Sequence, residues 1–158
     1  MTRMTIVPAS LQGVYQQWRF APAVVANGFV FCSGIIGTSP GGKAPAAGDG
    51  LAGAQTTTAD ADAPLAALEA VRDPEAQFAT AFEALRTILA KAGAELSDVV
   101  EITSYHVDIG RHMEAFMRVW ARYLQEPYPA WTAIGVSELI VPGGLVEIRA
   151  VAAVSEGR

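Results

Sequence analysis

The chain has 158 residues, of which 51% are hydrophobic and 17% are charged, and its formal net charge is −5. This length predicts one domain with a substantial core, and the low charged fraction indicates that another copy of the chain covers part of its apolar surface. The 11 lysine and arginine residues are scattered, whereas a nucleic-acid groove gathers basic residues on one element. We therefore expect an oligomer that does not bind nucleic acid.

The sequence also bears on compartment, membranes and metals. The single cysteine, Cys32, has no internal partner for a disulfide, and residues 1–20 lack the apolar stretch of a signal peptide. No apolar run reaches the roughly 18 residues of a membrane span. The only histidines, His106 and His112, are too few for a metal site, and no cluster of His, Cys and carboxylate residues accompanies them. We expect a soluble, cytoplasmic protein without metal or cofactor.

The first third of the chain predicts strands and turns. A short strand is expected at residues 5–7, ended by Pro8, and a hairpin follows with Asn27-Gly28 at its turn, because Asn-Gly between apolar runs is a strong hairpin signal. Gly34 comes directly after the second hairpin strand. A residue without Cβ allows a bulge or the close approach of a ligand there, and a plain strand end is an equally good interpretation.

Residues 38–72 differ in composition from the rest of the chain, since Gly, Ala, Thr, Asp and Pro dominate and aromatic residues are absent. We interpret this segment as a loop insertion in a single domain that covers residues 1–158. A turn or two of helix is predicted at residues 64–68. Residues 41–62 hold few large apolar groups to offset their ordering entropy, so we expect them to be the most mobile part of the chain.

The second half predicts two helices among three strands. Asp73 as N-cap and Pro74 as first residue begin a helix that stops at Gly93, a strand covers residues 99–107, and a helix covers residues 111–124. On this strand one face carries Glu101, Thr103, Tyr105 and Val107, and the other carries Val100, Ile102, Ser104 and His106. Two C-terminal strands, joined by a turn at Pro142-Gly143-Gly144 and expected to be neighbours, complete an α+β domain in which two helices cover one face of a mixed sheet. The uncovered face meets water or another subunit.

The last strand carries a charged pair. Glu147 and Arg149 share one face because successive strand side chains alternate, and the apolar residues Val146, Ile148 and Ala150 share the other. Two interpretations stay open. The pair is either a solvated ion pair that contributes little, or part of a subunit interface where Arg149 binds a carboxylate by two hydrogen bonds.

Several motifs, taken in order, resemble the RidA family, also called YjgF or L-PSP. They are Phe31-Cys32-Ser33-Gly34, the helix end Lys91-Ala92-Gly93, the Pro129-Ala130-Trp131-Thr132 strand and the Val146-Glu147-Ile148-Arg149-Ala150 strand. The resemblance implies a fold of the chorismate-mutase-like type and a homotrimer. Several members of this family hydrolyse reactive enamines and imines.

The chain departs from the pattern of active relatives at four polar positions. The arginine that holds the substrate carboxylate is matched by Trp131, a water-holding glutamate by Arg149, a tyrosine by Phe20 and a cysteine by Ala133, whereas Ser33 and Gly34 are as in the family. We hypothesise that the guanidinium has moved across one pocket, so that Arg149 lies beside Trp131. Glu147 or Glu126 would then assist proton transfer, and Trp131, Ser33, Gly34 and Phe20 would contact the ligand.

Three functions follow from the resemblance. The first hypothesis is a RidA-like homotrimer that binds a small carboxylate or carbonyl metabolite, an anionic ligand, between subunits and hydrolyses an enamine or imine. The alternative is a non-catalytic ligand-binding or regulatory trimer, which the missing arginine favours. Endoribonuclease activity is the least favoured, because the chain is acidic and offers no pair of histidines for acid–base chemistry.

Overall fold

The computed structural model describes residues 2–55 and 68–154. Its strands are β1 (Arg3–Ile6), β2 (Ala23–Ala26), β3 (Phe29–Cys32), β4 (Val99–Val107), β5 (Ala130–Val136) and β6 (Val146–Ala153). Its α-helices are α1 (Gln12–Trp18), α2 (Ala52–Gln55), α3 (Pro74–Lys91) and α4 (Ile109–Tyr123), and short 3-10 turns lie at Ala9–Leu11, Pro40–Gly42 and Leu96–Asp98. None of the helices in these two ranges has both the length and the apolar composition that crossing a membrane requires.

Within the described residues, the strands form one six-stranded mixed sheet in the order β1-β2-β3-β6-β4-β5. Neighbours pair antiparallel except β4 and β5, which run parallel. The predicted α+β fold is therefore confirmed. The predicted pairing of the two C-terminal strands is wrong, because α4 returns the chain as a crossover that places β5 beside β4, and β4 separates β5 from β6.

Helices α3 and α4 cover one face of the sheet, as predicted. The Asp73 carboxylate accepts a hydrogen bond from the Ala76 N–H at 2.8 Å, and Pro74 is the first helical residue. Between the helices and the sheet lies an aromatic layer of fully buried rings, Phe78, Phe82 and Phe116. Such rings remove a large apolar area from water, so this layer contributes to the stability of the domain.

Helix α1 was not predicted. Its buried residue Val14 joins the same core as Leu11, which lies just before the helix. The other helix residues are mostly polar or small, which hides the apolar face in a short segment. Val14 and Trp18 of this helix form part of the wall of the cavity described below.

The opposite face of the sheet has no helix in the described ranges and shows large apolar side chains. Phe29, Phe31 and Ile134 are each about two-fifths exposed, at 42%, 42% and 41%. On β6 the predicted alternation is confirmed, because Val146, Ile148, Ala150 and Ala152 are buried. On β4 one prediction is wrong: a bulge between Val99 and Glu101 buries Val99 and leaves Val100, expected on the side of Ile102, exposed.

The described part of the insertion packs against the domain. Thr38 forms an isolated bridge with Ala70, so the two ends of the segment meet. Leu51 is buried, and Gly50 lies so close to α3 that a Cβ there would overlap the backbone nitrogen of Ala84. Residues 56–67, which hold most of the turn of helix predicted at 64–68, lie outside the described residues. The mobility of residues 41–62 stays a prediction.

Candidate functional site

A β-bulge at the end of β3 shapes the centre of the site. Phe31 pairs with Val151 and Ile35 bridges to Ile148, so three residues of the β3 side, Cys32 to Gly34, lie opposite only two of β6. A bulge bends its strand and redirects the side chains around it. This bend turns Ser33 and Gly34 toward the end of α1, and the Ser33 hydroxyl donates a hydrogen bond to the carbonyl of Ala21 at 2.6 Å.

Glu147 lies directly against Gly34. A Cβ at position 34 would overlap the Oε1 atom of Glu147, so this approach requires glycine. The sequence left open whether Gly34 serves a bulge or the close approach of a ligand, or is a plain strand end. The structure shows the bulge, with the Glu147 side chain against Gly34, and the approach of a ligand stays a prediction. Burial disfavours the charged carboxylate and raises the pKa of Glu147 above its ordinary value. The result is a half-buried carboxyl group suited to taking and giving a proton.

A cavity of about 420 Å³ opens on one side of Glu147, and we call it the apolar cavity. Ser33, Gly34 and Glu147 form its polar end, and the stacked rings of Trp18 and Phe20, with centroids 6.4 Å apart, border it. Aliphatic side chains form most of the remaining wall: Leu11, Val14, Ile35, Ile36, Leu51, Leu68, Ile88, Ile140 and Val141. Its volume lies within the range of small-molecule sites, roughly 300–1,000 Å³.

A second cavity, of about 290 Å³, shares Gly34 and Glu147 with the apolar cavity, and we call it the Arg149 cavity. Its lining residues are Gly34, Tyr105, Val136, Leu139, Glu147 and Arg149. The Arg149 guanidinium lies 3.8 Å from Glu101, and both side chains are about half exposed. An exposed pair of this kind contributes little stability, so Arg149 can exchange Glu101 for another carboxylate at low cost.

Trp131 lies on the opposite face of the sheet, so the expectation that it neighbours Arg149 is wrong. It pairs with Ile102 on β4, whereas Arg149 pairs with the adjacent Thr103, and adjacent strand residues point to opposite faces. The Trp131 indole N–H donates a hydrogen bond to the Ser104 hydroxyl at 2.8 Å. Its ring lies 4.6 Å from that of Trp120, so the side chain belongs to the core under α4.

Two other candidate groups are buried away from the cavities. His106 is 1% exposed, its Nε2 lies 2.7 Å from the Ser104 hydroxyl, and burial lowers its pKa to about 4. Cys32 is buried on the helix side of β3, and burial raises its pKa to about 12, which keeps the thiol protonated. Neither group lines the apolar cavity or the Arg149 cavity.

The structure therefore brings together Phe20, Ser33, Gly34 and Glu147 around one cavity. It places Arg149 with Gly34 and Glu147 around the other, and Trp131 lines neither. Glu126, a further carboxylate considered as a proton carrier, is exposed and lines neither cavity. Among the residues of both described ranges, no group of three or more His, Cys, Asp or Glu side chains is arranged to hold a metal ion.

Sequence reasoning missed Tyr105 and the apolar wall. The wall had a readable signal at its start, because Leu11, Val14 and Trp18 recur at spacings of three and four residues, which is typical of one helix face. Leu51 had no such signal, since it stands alone in a segment of small residues. Tyr105 was identified only as a residue on the face of β4 that also carries Glu101.

Comparisons with known proteins agree with this architecture. The protein-family model described as Endoribonuclease L-PSP matches residues 63–154, more than half of the chain. The chain is 28% identical over 155 residues to the RutC family protein YjgH of Escherichia coli strain K12, covering 98% of this chain and 97% of YjgH.

Solved structures of other proteins match this fold over almost the full length of the chain. A structure of protein YJGH superposes with a TM-score of 0.71 at 27% identity, covering 99% of each chain. Rv2704 of Mycobacterium tuberculosis, described as a member of the YjgF/YER057c/UK114 family, superposes with a TM-score of 0.69 at 25% identity, covering 97% of this chain and 100% of its own. On these matches, the chain belongs to the L-PSP family, also known as RidA or YjgF.

Proposed function

We propose that this protein binds a small metabolite carrying a carboxylate next to a carbonyl or imine carbon, and that it hydrolyses an enamine or imine of this kind. The observation that carries the proposal is the position of Glu147, whose half-buried carboxyl group forms a wall of both the apolar cavity and the Arg149 cavity. A ligand held at this wall has a cation on one side and a proton carrier beside its reactive carbon.

Arg149 is the proposed carboxylate-binding group. A guanidinium presents a planar set of donors that matches a carboxylate in a two-pronged hydrogen bond, and such charge-assisted bonds are about twice as strong as neutral ones. Tyr105 lines the same cavity and offers a hydroxyl group. Binding at this position requires only that the solvent-exposed contact with Glu101 be released.

Glu147 is the proposed proton carrier. Water attacks the iminium carbon as the Glu147 carboxylate removes its proton, which gives a carbinolamine; the proton then passes to the amine nitrogen. The C–N bond breaks to release ammonia, and the carbonyl forms as the hydroxyl proton is lost, so one water is consumed for each imine. The raised pKa of Glu147 brings it nearer to neutral pH, where a group that both accepts and donates a proton is most effective.

A homotrimer is part of the proposal. Arg149 lies on the sheet face that carries the exposed Phe29, Phe31 and Ile134, and a monomer would leave this apolar surface in water. Closed symmetric assembly is the usual way to cover such a face. In a trimer the Arg149 cavity would border the neighbouring subunit.

The alternative is a non-catalytic ligand-binding or regulatory trimer. What favours it is Trp131, which stands where active relatives carry an arginine and whose side chain is bonded to Ser104 in the core. Ribonuclease chemistry is the least favoured function. Of the two histidines, His106 is buried and has a pKa near 4, so it is poorly suited to accept or donate protons to an RNA strand.

Two substitutions and one control test the proposal. Arg149→Ala should weaken the binding of pyruvate or 2-oxobutanoate by about ten- to a hundred-fold in calorimetry, the usual cost of losing a hydrogen bond to a charged group. Arg118→Ala removes an equally exposed arginine from α4 and should change nothing. Equal affinity of Arg149→Ala and wild type would overturn the proposal.

Glu147→Gln separates the two functions. Glutamine keeps the shape of the side chain but cannot carry a proton. If the protein is an imine hydrolase, this variant should lose imine hydrolysis and still bind 2-oxobutanoate. A wild type that binds the acid but clears imine no faster than Glu147→Gln would support the non-catalytic trimer instead.

A further inference from the structure

Gln77 is a polar residue within the core. It lies on the buried face of α3, and its exposure is 0%. An amide group that is taken out of water is destabilising unless new hydrogen bonds replace those that it loses. Gln77 forms three such bonds through its side chain, and all three partners are backbone groups outside α3. The glutamine therefore connects α3 to other segments of the chain.

The three hydrogen bonds reach two segments that are far apart in sequence. The Gln77 side-chain nitrogen donates to the carbonyl of Val71 at 2.9 Å and to that of Gly143 at 3.0 Å. The side-chain oxygen accepts a hydrogen bond from the Leu145 N–H at 2.7 Å. Val71 lies at the end of the insertion, and the other two partners belong to residues 137–145, which connect β5 to β6 and which we call the β5–β6 loop. One amide group thus ties this loop to the end of the insertion.

A third segment approaches the same position. A Cβ on Gly37 would overlap the backbone carbonyl oxygen of Gln77, so the chain that follows β3 comes this close to α3 only with glycine there. The Gly37 carbonyl also accepts a hydrogen bond from the Val71 N–H at 3.0 Å. The segment after β3, the end of the insertion and the β5–β6 loop therefore meet at one residue of α3.

The β5–β6 loop forms part of the wall of both cavities. Leu139 lines the Arg149 cavity, and Ile140 and Val141 line the apolar cavity. Gln77 lines neither of them, so any influence on a ligand must act through the loop. A loop that is already ordered before binding gives higher affinity, because its ordering entropy is not lost at the moment of binding.

We propose that Gln77 is a positioning residue of the candidate site, and that its three hydrogen bonds hold the β5–β6 loop in the arrangement that binds a ligand. The inference rests on the function proposed above and adds to it a residue that does not touch the ligand. Without the amide group, the apparent affinity falls in proportion to the fraction of molecules whose loop stays in place. Glu147 and Arg149 lie on β6, which is held by its pairing with β3 and β4.

Gln77→Met tests the role of the amide group, because methionine has a similar length and no hydrogen-bonding amide. Titration calorimetry with 2-oxobutanoate should show roughly ten-fold weaker binding, since two hydrogen bonds to the loop are lost. In imine hydrolysis KM should rise by a similar factor while kcat stays within about two-fold, because β6 still holds Glu147 in place. Gln77→Leu is a second variant for the same measurements.

Thr80→Val is the matched control. Thr80 is another buried polar residue, one turn further along α3, and its hydroxyl donates within the helix to the Ala76 carbonyl at 2.7 Å. The substitution removes a buried hydrogen bond from the same helix and leaves the β5–β6 loop untouched. Thr80→Val should therefore bind 2-oxobutanoate as wild type does.

Hydrogen exchange measures the loop itself and includes the wild type. The Leu145 amide, whose acceptor is the Gln77 side chain, should exchange slowly in wild type and more slowly still with 2-oxobutanoate bound. In Gln77→Met this amide should exchange faster, while the amides of β6 should exchange as in wild type. A general loss of stability would instead speed exchange along β6 as well.

The outcomes separate this inference from the proposed function. Gln77→Met or Gln77→Leu that binds 2-oxobutanoate as tightly as wild type would overturn the positioning role, and so would equal weakening in Thr80→Val. If neither Gln77 variant folds, an unprotected Leu145 amide in wild type, or one whose exchange the ligand does not slow, would overturn it as well. In each of these cases binding that still requires Arg149 leaves the proposed function intact. A wild type that does not bind 2-oxobutanoate would overturn the proposed function and this inference with it.

Discussion

Acid should destabilise this protein through one residue, His106. The imidazole is 1% exposed and packs edge-on against the Phe116 ring, 4.7 Å between centroids, so the folded protein holds it neutral. Its pKa falls from the ordinary 6.5 to about 4, and each pKa unit corresponds to about 1.36 kcal/mol. Protonating His106 is therefore about 3 kcal/mol less favourable in the folded state than in the unfolded state. The free energy of unfolding keeps its full value above pH 6.5, falls as the unfolded state takes up the proton, and is lower by about 3 kcal/mol near pH 4.

His106→Gln is the perturbation that isolates this effect. Glutamine can still form a hydrogen bond with the Ser104 hydroxyl but does not titrate, so the variant lacks the pH-dependent contribution. Urea unfolding followed by tryptophan fluorescence should be measured at several values between pH 7 and pH 4. The variant should be less stable than wild type at pH 7, and the difference should shrink by about 3 kcal/mol toward pH 4.

Ser104→Ala serves as the control, because it removes the hydroxyl group and keeps the buried imidazole. Its free energy of unfolding should be lower than that of wild type, yet it should fall with pH as steeply as in wild type. A difference between wild type and His106→Gln that stays constant from pH 7 to pH 4 would refute the reasoning, since His106 would then bind its proton equally in the folded and unfolded states.

Other predictions concern assembly and the site. Light scattering should give a mass of about 50 kDa, three times the 16.6 kDa chain, and a monomer that persists on dilution would contradict the exposed sheet face as an interface. Gly34→Ala should lower imine hydrolysis by about a hundred-fold, because the new Cβ displaces the Glu147 carboxyl group, while Ala26→Gly on the neighbouring strand should not. Hydrolysis of 2-aminoacrylate-type imines should be about two to three powers of ten slower than in a relative with the family arginine, and equal rates would restore the ordinary deaminase interpretation. Cys32 should resist thiol reagents at pH 8 until the protein is unfolded, since its pKa is about 12.

Local signals predicted the elements of this fold well. The N-cap at Asp73, the proline that follows it and the strand at residues 99–107 all match the structure. These features depend on neighbours within a few positions, which a sequence displays directly. Helix α1 has only seven residues, and the spacing that indicates its apolar face begins at Leu11, before the helix itself, so this signal was missed.

Strand neighbours and side-chain partners were harder to predict. Two apolar strands joined by a Pro-Gly-Gly turn suggested a hairpin, but α4 and the pairing of β4 with both strands decided the order of the sheet. Because β4 lies between β5 and β6, the sheet face of Trp131 depends on how β5 pairs with β4, and the sheet face of Arg149 depends on how β6 pairs with β4. The alternation along β6 placed Glu147 and Arg149 on one face correctly, whereas no local pattern indicated which residues approach them from other strands.

The packing of Trp131 limits how this protein can be changed by single substitutions. An arginine introduced at position 131 would replace an indole that lies on Trp120 and Phe116 and donates its hydrogen bond to Ser104. The guanidinium would replace a partly buried ring, and the contacts of that ring with its aromatic neighbours would be lost. An exchange at position 131 alone therefore disturbs the packing beneath α4, and the rings around it would have to be redesigned together with it.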